Sequence, residues 1–208
     1  MTRPRFDRRA FFAGAGALFL SRCTLLQAPT APQLYVLRPT VPPSMGATVR
    51  WRLAVAPPDA AQSFDTPRIA LSRSATTMDY FANAAWTDPV PLMVQRLLLQ
   101  SFETSGRIVS VDRDTAGLES DYLLETEIRD FAAHYDSPQG PPQIVVNLQA
   151  RMVKMPQRDI AGSLTAQQQA QAAANNLDSI VGAFNQACGA ALAQITAWSL
   201  NMPAPSSA

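Results

Sequence analysis

A chain of 208 residues with 17 Lys and Arg against 16 Asp and Glu is close to neutral. It gathers no basic cluster beyond its first 22 positions, which excludes nucleic acid as a partner. One histidine and two cysteines are too few for a transition-metal cluster, and no Asp-rich loop has calcium spacing, so neither metal nor cofactor is expected.

The N-terminus reads as an export signal. Arg3, Arg5, Arg8 and Arg9 stand against one acid, Asp7, ahead of an apolar segment from Ala10 to Leu20. That segment is about half the ~20 residues of a spanning helix. Arg8 and Arg9 followed by Phe11 and Phe12 resemble a twin-arginine signal, and Gly14 and Gly16 keep the apolar run mild. Leu20-Ser21-Arg22-Cys23 follows, a lipoprotein box with Cys23 as the acylated residue; Arg22 occupies a position where Gly or Ala is usual. Gln27-Ala28-Pro29-Thr30-Ala31-Pro32 is a Pro/Ala-rich tether. The expected organisation is a signal over 1–22, a lipid-anchor tether over 23–32, one domain over 33–200 and a disordered tail over 201–208. Without its signal the chain carries 12 basic and 15 acidic side chains, a formal charge of −3. No later apolar run approaches spanning length, so the domain is expected to be soluble, with any membrane contact through the anchor.

Leu34 to Leu37 predicts a short strand. Val49 to Val55 predicts another, with Val49, Trp51, Leu53 and Val55 on one face, stopped by Pro57-Pro58. Arg68 to Ser72 and Met78 to Phe81 read as a hairpin around Ser74 to Thr77. Thr87-Asp88-Pro89 predicts a helix start, with an acceptor side chain at the N-cap and Pro in the first turn. The helix carries Val90, Met93, Val94, Leu97, Leu98 and Phe102 at helical spacing and ends at Gly106. Ile108 to Val111 is the next strand.

The strongest β signal follows. Tyr122, Leu124 and Ile128 face one way, and Glu125, Glu127 and Arg129 the other. After a loop at Ser137 to Pro142, Ile144, Val146, Leu148, Ala150 and Met152 share a face, with Asn147, Gln149 and Arg151 opposite. A tight turn at Met155-Pro156-Gln157 leads to a third strand, Asp159 to Ala166, completing an antiparallel meander with one wet face. Gln167 to Ala174 is open between loop and early helix. A closing helix of about 22 residues carries Leu177, Ile180, Val181, Phe184, Cys188, Ala191, Leu192, Ile195 and Trp198 as one apolar stripe packed on the sheet.

Catalytic constellations are thin. His134 beside Tyr135 and Asp136 lacks a Gly-x-Ser-x-Gly elbow and reads as a solvated loop residue. Glu125 and Glu127, near Arg129, read as an exposed ion-paired ladder. Cys188 reads as a small core residue, and no phosphate-binding glycine loop is present. No catalytic residue is assigned and an enzyme is not expected.

In order and spacing the segments resemble the ABC-type transport auxiliary lipoproteins, the family that includes paraquat-inducible protein C. The resemblance rests on Leu34-Tyr35-Val36-Leu37-Arg38 shortly after Cys23, Pro67-Arg68-Ile69-Ala70-Leu71 and Met78-Asp79-Tyr80-Phe81. It continues through Ala85-Trp86-Thr87-Asp88-Pro89-Val90-Pro91, Asp121-Tyr122-Leu123-Leu124, Ile128-Arg129-Asp130-Phe131 and Ala197-Trp198. It implies a single compact α/β domain with a mixed, mostly antiparallel sheet and packed helices, similar to the TolB amino-terminal domain. It also implies an accessory role beside a mammalian-cell-entry (MCE) domain protein, an ABC permease and an ATPase that move lipids or other hydrophobic molecules between inner and outer membranes. Self-association stays open. Thr24, in place of the Asp that retains lipoproteins at the inner membrane, leans toward an outer-membrane anchor in the periplasm. Two other readings stand beside it: a periplasmic module binding a hydrophobic ligand, and a periplasmic hydrolase built on His134 or the Glu125/Glu127 face.

Overall fold

The computed structural model describes residues 31–204, apart from Pro43 and Leu118. The expected signal with Arg8 and Arg9, the expected lipidation site Cys23, the tether up to residue 30 and residues 205–208 lie outside them.

In chain order the strands and helices are β1 (Gln33–Tyr35), β2 (Val49–Val55), β3 (Asp59–Ala60), β4 (Arg68–Ser74), β5 (Thr77–Trp86), α1 (Val90–Ser105), β6 (Ile108–Arg113), β7 (Tyr122–His134), β8 (Gln143–Lys154), β9 (Asp159–Gln171) and α2 (Leu177–Leu200). β7 is the spine of one mixed sheet. Along one edge it pairs antiparallel with β8 over its whole length, and β9 continues the meander outward. Along the other edge three strands follow one another, all parallel to it. Leu53–Val55 of β2 lie beside Tyr122–Leu124, Asp59–Ala60 of β3 beside Glu127–Ile128, and Ala70–Ser72 of β4 beside Ala132–His134. The sheet therefore forks beyond β7, with β6 outside β2 on one branch and β5 then β1 outside β4 on the other.

Both helices cover one face, where their apolar stripes and the inward residues of the strands form a continuous core. At its centre the Phe131 ring stacks on Phe184 at 5.2 Å, and Trp86 meets Phe184 edge-on at 5.2 Å. Buried Ser101 and Thr196 share a hydrogen bond of 2.7 Å and fasten α1 to α2. Gly189 of α2 admits the backbone of the segment before β2, because a Cβ there would lie 2.9 Å from the Thr40 carbonyl oxygen.

Several local expectations differ from the structure. The Gln/Ala stretch is strand as far as Gln171: β8 supplies a partner for each residue up to Gln143 opposite Gln171, while Ala166 and Ala170 turn into the core. Tertiary pairing outweighs a composition that would suit a helix. β5 runs on to Trp86 instead of ending at Phe81, passing Asn83 with φ 55°. β3 is too short to carry a periodic signal. The helix α1 has Pro89 at its N-cap and no side-chain cap; Asp88, expected as an acceptor there, instead binds Arg96 at 2.8 Å. Its end is as expected, with Gly106 at φ 62° in the left-handed region. Trp198 is half-buried, lying over Gly162 of β9 with Met202. Pro203 accepts a hydrogen bond from the Tyr122 hydroxyl at 3.0 Å.

Candidate functional site

β7 changes its facing midway. From Tyr122 to Ile128 the even-numbered residues point to the helices. A bulge at Arg129 then makes Ile128 oppose Leu148 while Asp130 opposes Asn147. From there Phe131 and Ala133 point inward, and Asp130, Ala132 and His134 point to the opposite face. A bulge of this kind re-aims side chains without ending a strand. Here it delivers Phe131 to the aromatic centre and places a carboxylate and an imidazole on the face away from the helices.

Those two groups meet. His134 Nε2 lies 2.9 Å from Asp130 Oδ2. His134 is thus the last residue of a strand, partly buried and paired, and not a solvated loop residue. The pair lines a cavity of about 480 Å³ between the end of β7 and the tip of the β4–β5 hairpin. Phe64, Met78 and Tyr135 give it apolar wall, and Asp136 and Arg129 stand at its polar side. Burial pushes the Asp130 carboxyl above the usual carboxylate range, against the opposing pull of His134 and of the Phe131 backbone N–H. Both serines of the cavity are already engaged: Ser72 donates to the Ser74 and Thr77 carbonyls at 2.7 and 2.9 Å, and the Ser74 and Thr77 hydroxyls bind each other at 2.7 Å. Asp130 and His134 therefore have two of the three parts of a hydrolytic triad, and the serine beside them is committed elsewhere.

Glu125 and Glu127 form the ion-paired ladder expected of them. Arg158 contacts Glu125 at 3.1 Å and Arg129 contacts Glu127 at 3.3 Å, all at least one-third exposed. They border a second cavity of about 300 Å³ with Asp59, Gln149 and Arg151. Cys188 is fully buried in α2, and burial alone pushes its thiol up to about 12, so no thiolate forms near neutral pH. Among the described residues no group of three or more His, Cys, Asp or Glu is placed to hold a metal ion. None of the described helices is long and apolar enough to cross a membrane. Asp130 was missed in the sequence. Its signal was the break in alternation between inward Ile128 and inward Phe131, which only a bulge explains.

A family model described as an ABC-type transport auxiliary lipoprotein component matches residues 33–196. The crystal structure of a DUF330-family protein from Xanthomonas campestris is similar to this chain with a TM-score of 0.76 and 27% identity, covering 81% of this chain and 94% of its own. An uncharacterised protein shares the fold at a TM-score of 0.64 and 15% identity, over 82% of this chain and 99% of its own. No curated protein matches the chain.

Proposed function

The chain belongs to the ABC-type transport auxiliary lipoprotein component family, and from that membership we propose that it is the accessory lipoprotein of an MCE-type transporter moving lipids or other hydrophobic molecules between the inner and outer membranes. The family match over residues 33–196 is the observation that carries the reading. Export through Arg8 and Arg9, acylation at Cys23 and a periplasmic site on the outer membrane belong to the same proposal.

The physical task follows from the cargo. Each CH₂ exposed during an aqueous crossing costs about 0.8 kcal/mol, so the chains must stay shielded, and the MCE assembly is the shield. This domain docks that assembly to a membrane through its anchor. One acyl chain holds a protein only marginally, and several are needed for stable attachment. The engaged serines beside Asp130 and His134, and the un-ionised thiol of Cys188, support a protein that works by contact and not by covalent chemistry.

Cys23→Ala tests this. The variant is expected to lose labelled palmitate and resistance of the envelope to detergent while remaining abundant and folded, since its domain begins beyond the tether. Full detergent resistance in an unlabelled, soluble variant would contradict docking and favour a free ligand-binding module.

A further inference from the structure

Asp130 of β7 and Asn147 of β8 are direct cross-strand partners, which sets their Cβ atoms about 5 Å apart on the same face of the sheet. Each carries an Oδ1 that is closed to solvent and has no hydrogen-bond partner. The other oxygen of Asp130 is taken by His134 Nε2 at 2.9 Å. An ionised Asp130 beside the amide oxygen of Asn147 would bury two facing acceptors with no hydrogen between them, and a buried acceptor left unpaired is destabilising. Neither oxygen is open to water. Besides His134 the Phe131 backbone N–H pulls on the Asp130 carboxyl, but a hydrogen shared between the two side chains satisfies both Oδ1 atoms at once.

We propose that Asp130 is a proton-binding site, its Oδ1 carrying a hydrogen that it donates to Asn147 Oδ1 while Oδ2 accepts from His134. Of the surrounding charges His134 pulls the other way, and burial of the carboxyl outweighs it. On β7 the facing groups are His134 and Arg129, and Arg129 is drawn to Glu127 at 3.3 Å. Beyond β7 stands exposed Asp136, which also lines the cavity. β4 and β5 contribute Ser72, Ser74, Thr77 and Met78, while Arg73 sits over the Tyr135 ring at 5.7 Å. Around Asn147, β8 contributes Val145 and Gln149, and β9 contributes Gln167 opposite. When the proton leaves for solvent, the cavity gains a negative charge and the two oxygens repel across the strand pair. The cavity is in this way made sensitive to the pH of its compartment, whatever the protein's transport role.

The sign of the linkage is definite. A carboxyl that holds its proton more tightly folded than unfolded contributes stability that is complete below the free aspartate value of about 3.9 and is lost as pH rises through the folded midpoint. Carboxyl carbon-13 shifts of labelled wild-type protein read Asp130 directly, and a titration midpoint above about 3.9 is expected. Urea unfolding of wild type and Asp130→Asn gives the second readout. The variant offers Asn147 an amide N–H at every pH, so it should gain on the wild type as pH rises from about 4 to about 8. A wild-type midpoint at or below about 3.9, or a variant that falls behind as pH rises, would overturn the proposal; Asp130 is then an ordinary carboxylate and the Asn147 amide turns to donate to it. Should Asp130→Asn not fold, the wild-type carbon shifts alone decide.

Discussion

Asp121 and Arg52 give the clearest single-residue test of the electrostatics. Asp121 Oδ2 accepts from the Arg52 backbone N–H at 2.7 Å and from its Nε at 3.2 Å, joining β2 to the start of β7. The Arg52 guanidinium holds the Asp121 carboxyl below the usual carboxylate range. The contribution to stability is therefore present above the unfolded value of about 3.9 and is lost as pH falls through the folded one. Asp121→Asn is expected to lower stability by about 1 kcal/mol at neutral pH, limited by the half-exposed guanidinium. The difference from wild type should vanish in strong acid; a loss that persists unchanged at low pH would assign the effect to packing. At this scale the sequence was legible where chemistry and pattern agree. Cys188 sits in the core because it falls on the apolar stripe of α2. His134 was visible as the lone histidine, but its partner was not, since strict alternation puts Asp130 on the helix-facing side. Trp198 falls on the same stripe yet is only half-buried, because it lies at the end of α2 over Gly162 of β9.

At the scale of elements, β7 and its bulge decide how the two faces of the sheet are filled. Ile128 and Asp130 already oppose consecutive residues of β8, Leu148 and Asn147, so removing Arg129 leaves every later side chain on its present face. Removing Glu127 reverses the facing of Ile128 relative to Tyr122 and Leu124, and a one-residue slip of that kind exchanges core and solvent positions. Deletion of Arg129 should retain a cooperative thermal transition followed by circular dichroism, whereas deletion of Glu127 should abolish it. Cooperative melting of the Glu127 deletion with none in the Arg129 deletion would show that the bulge is not where the facing is set. The helices and the β7–β9 meander were readable from their periods, because each buries a continuous stripe. The tail of β9 was not. Gln167, Gln168 and Gln169 carry no period of their own, and only the presence of β8 makes them strand.

For the molecule as a whole, the α/β class and the sheet-and-helix layering were legible in the order of apolar segments. The parallel pairings of β2, β3 and β4 along one edge of β7 were not, since long-range pairing leaves no local trace in the residues that make it. The candidate site fared worse, because it exists only where the β4–β5 hairpin tip and the end of β7 converge. Family membership fixes an auxiliary lipoprotein of ABC transport; the MCE partnership is the step beyond it and the claim on which the account turns. The most direct measurement is mass spectrometry of the complex captured with affinity-tagged full-length protein from detergent-solubilised envelopes, compared with Cys23→Ala. An MCE-domain protein and an ABC permease are expected with the wild type and should be depleted with the variant. Recovery of bound lipid without either subunit would contradict the MCE partnership.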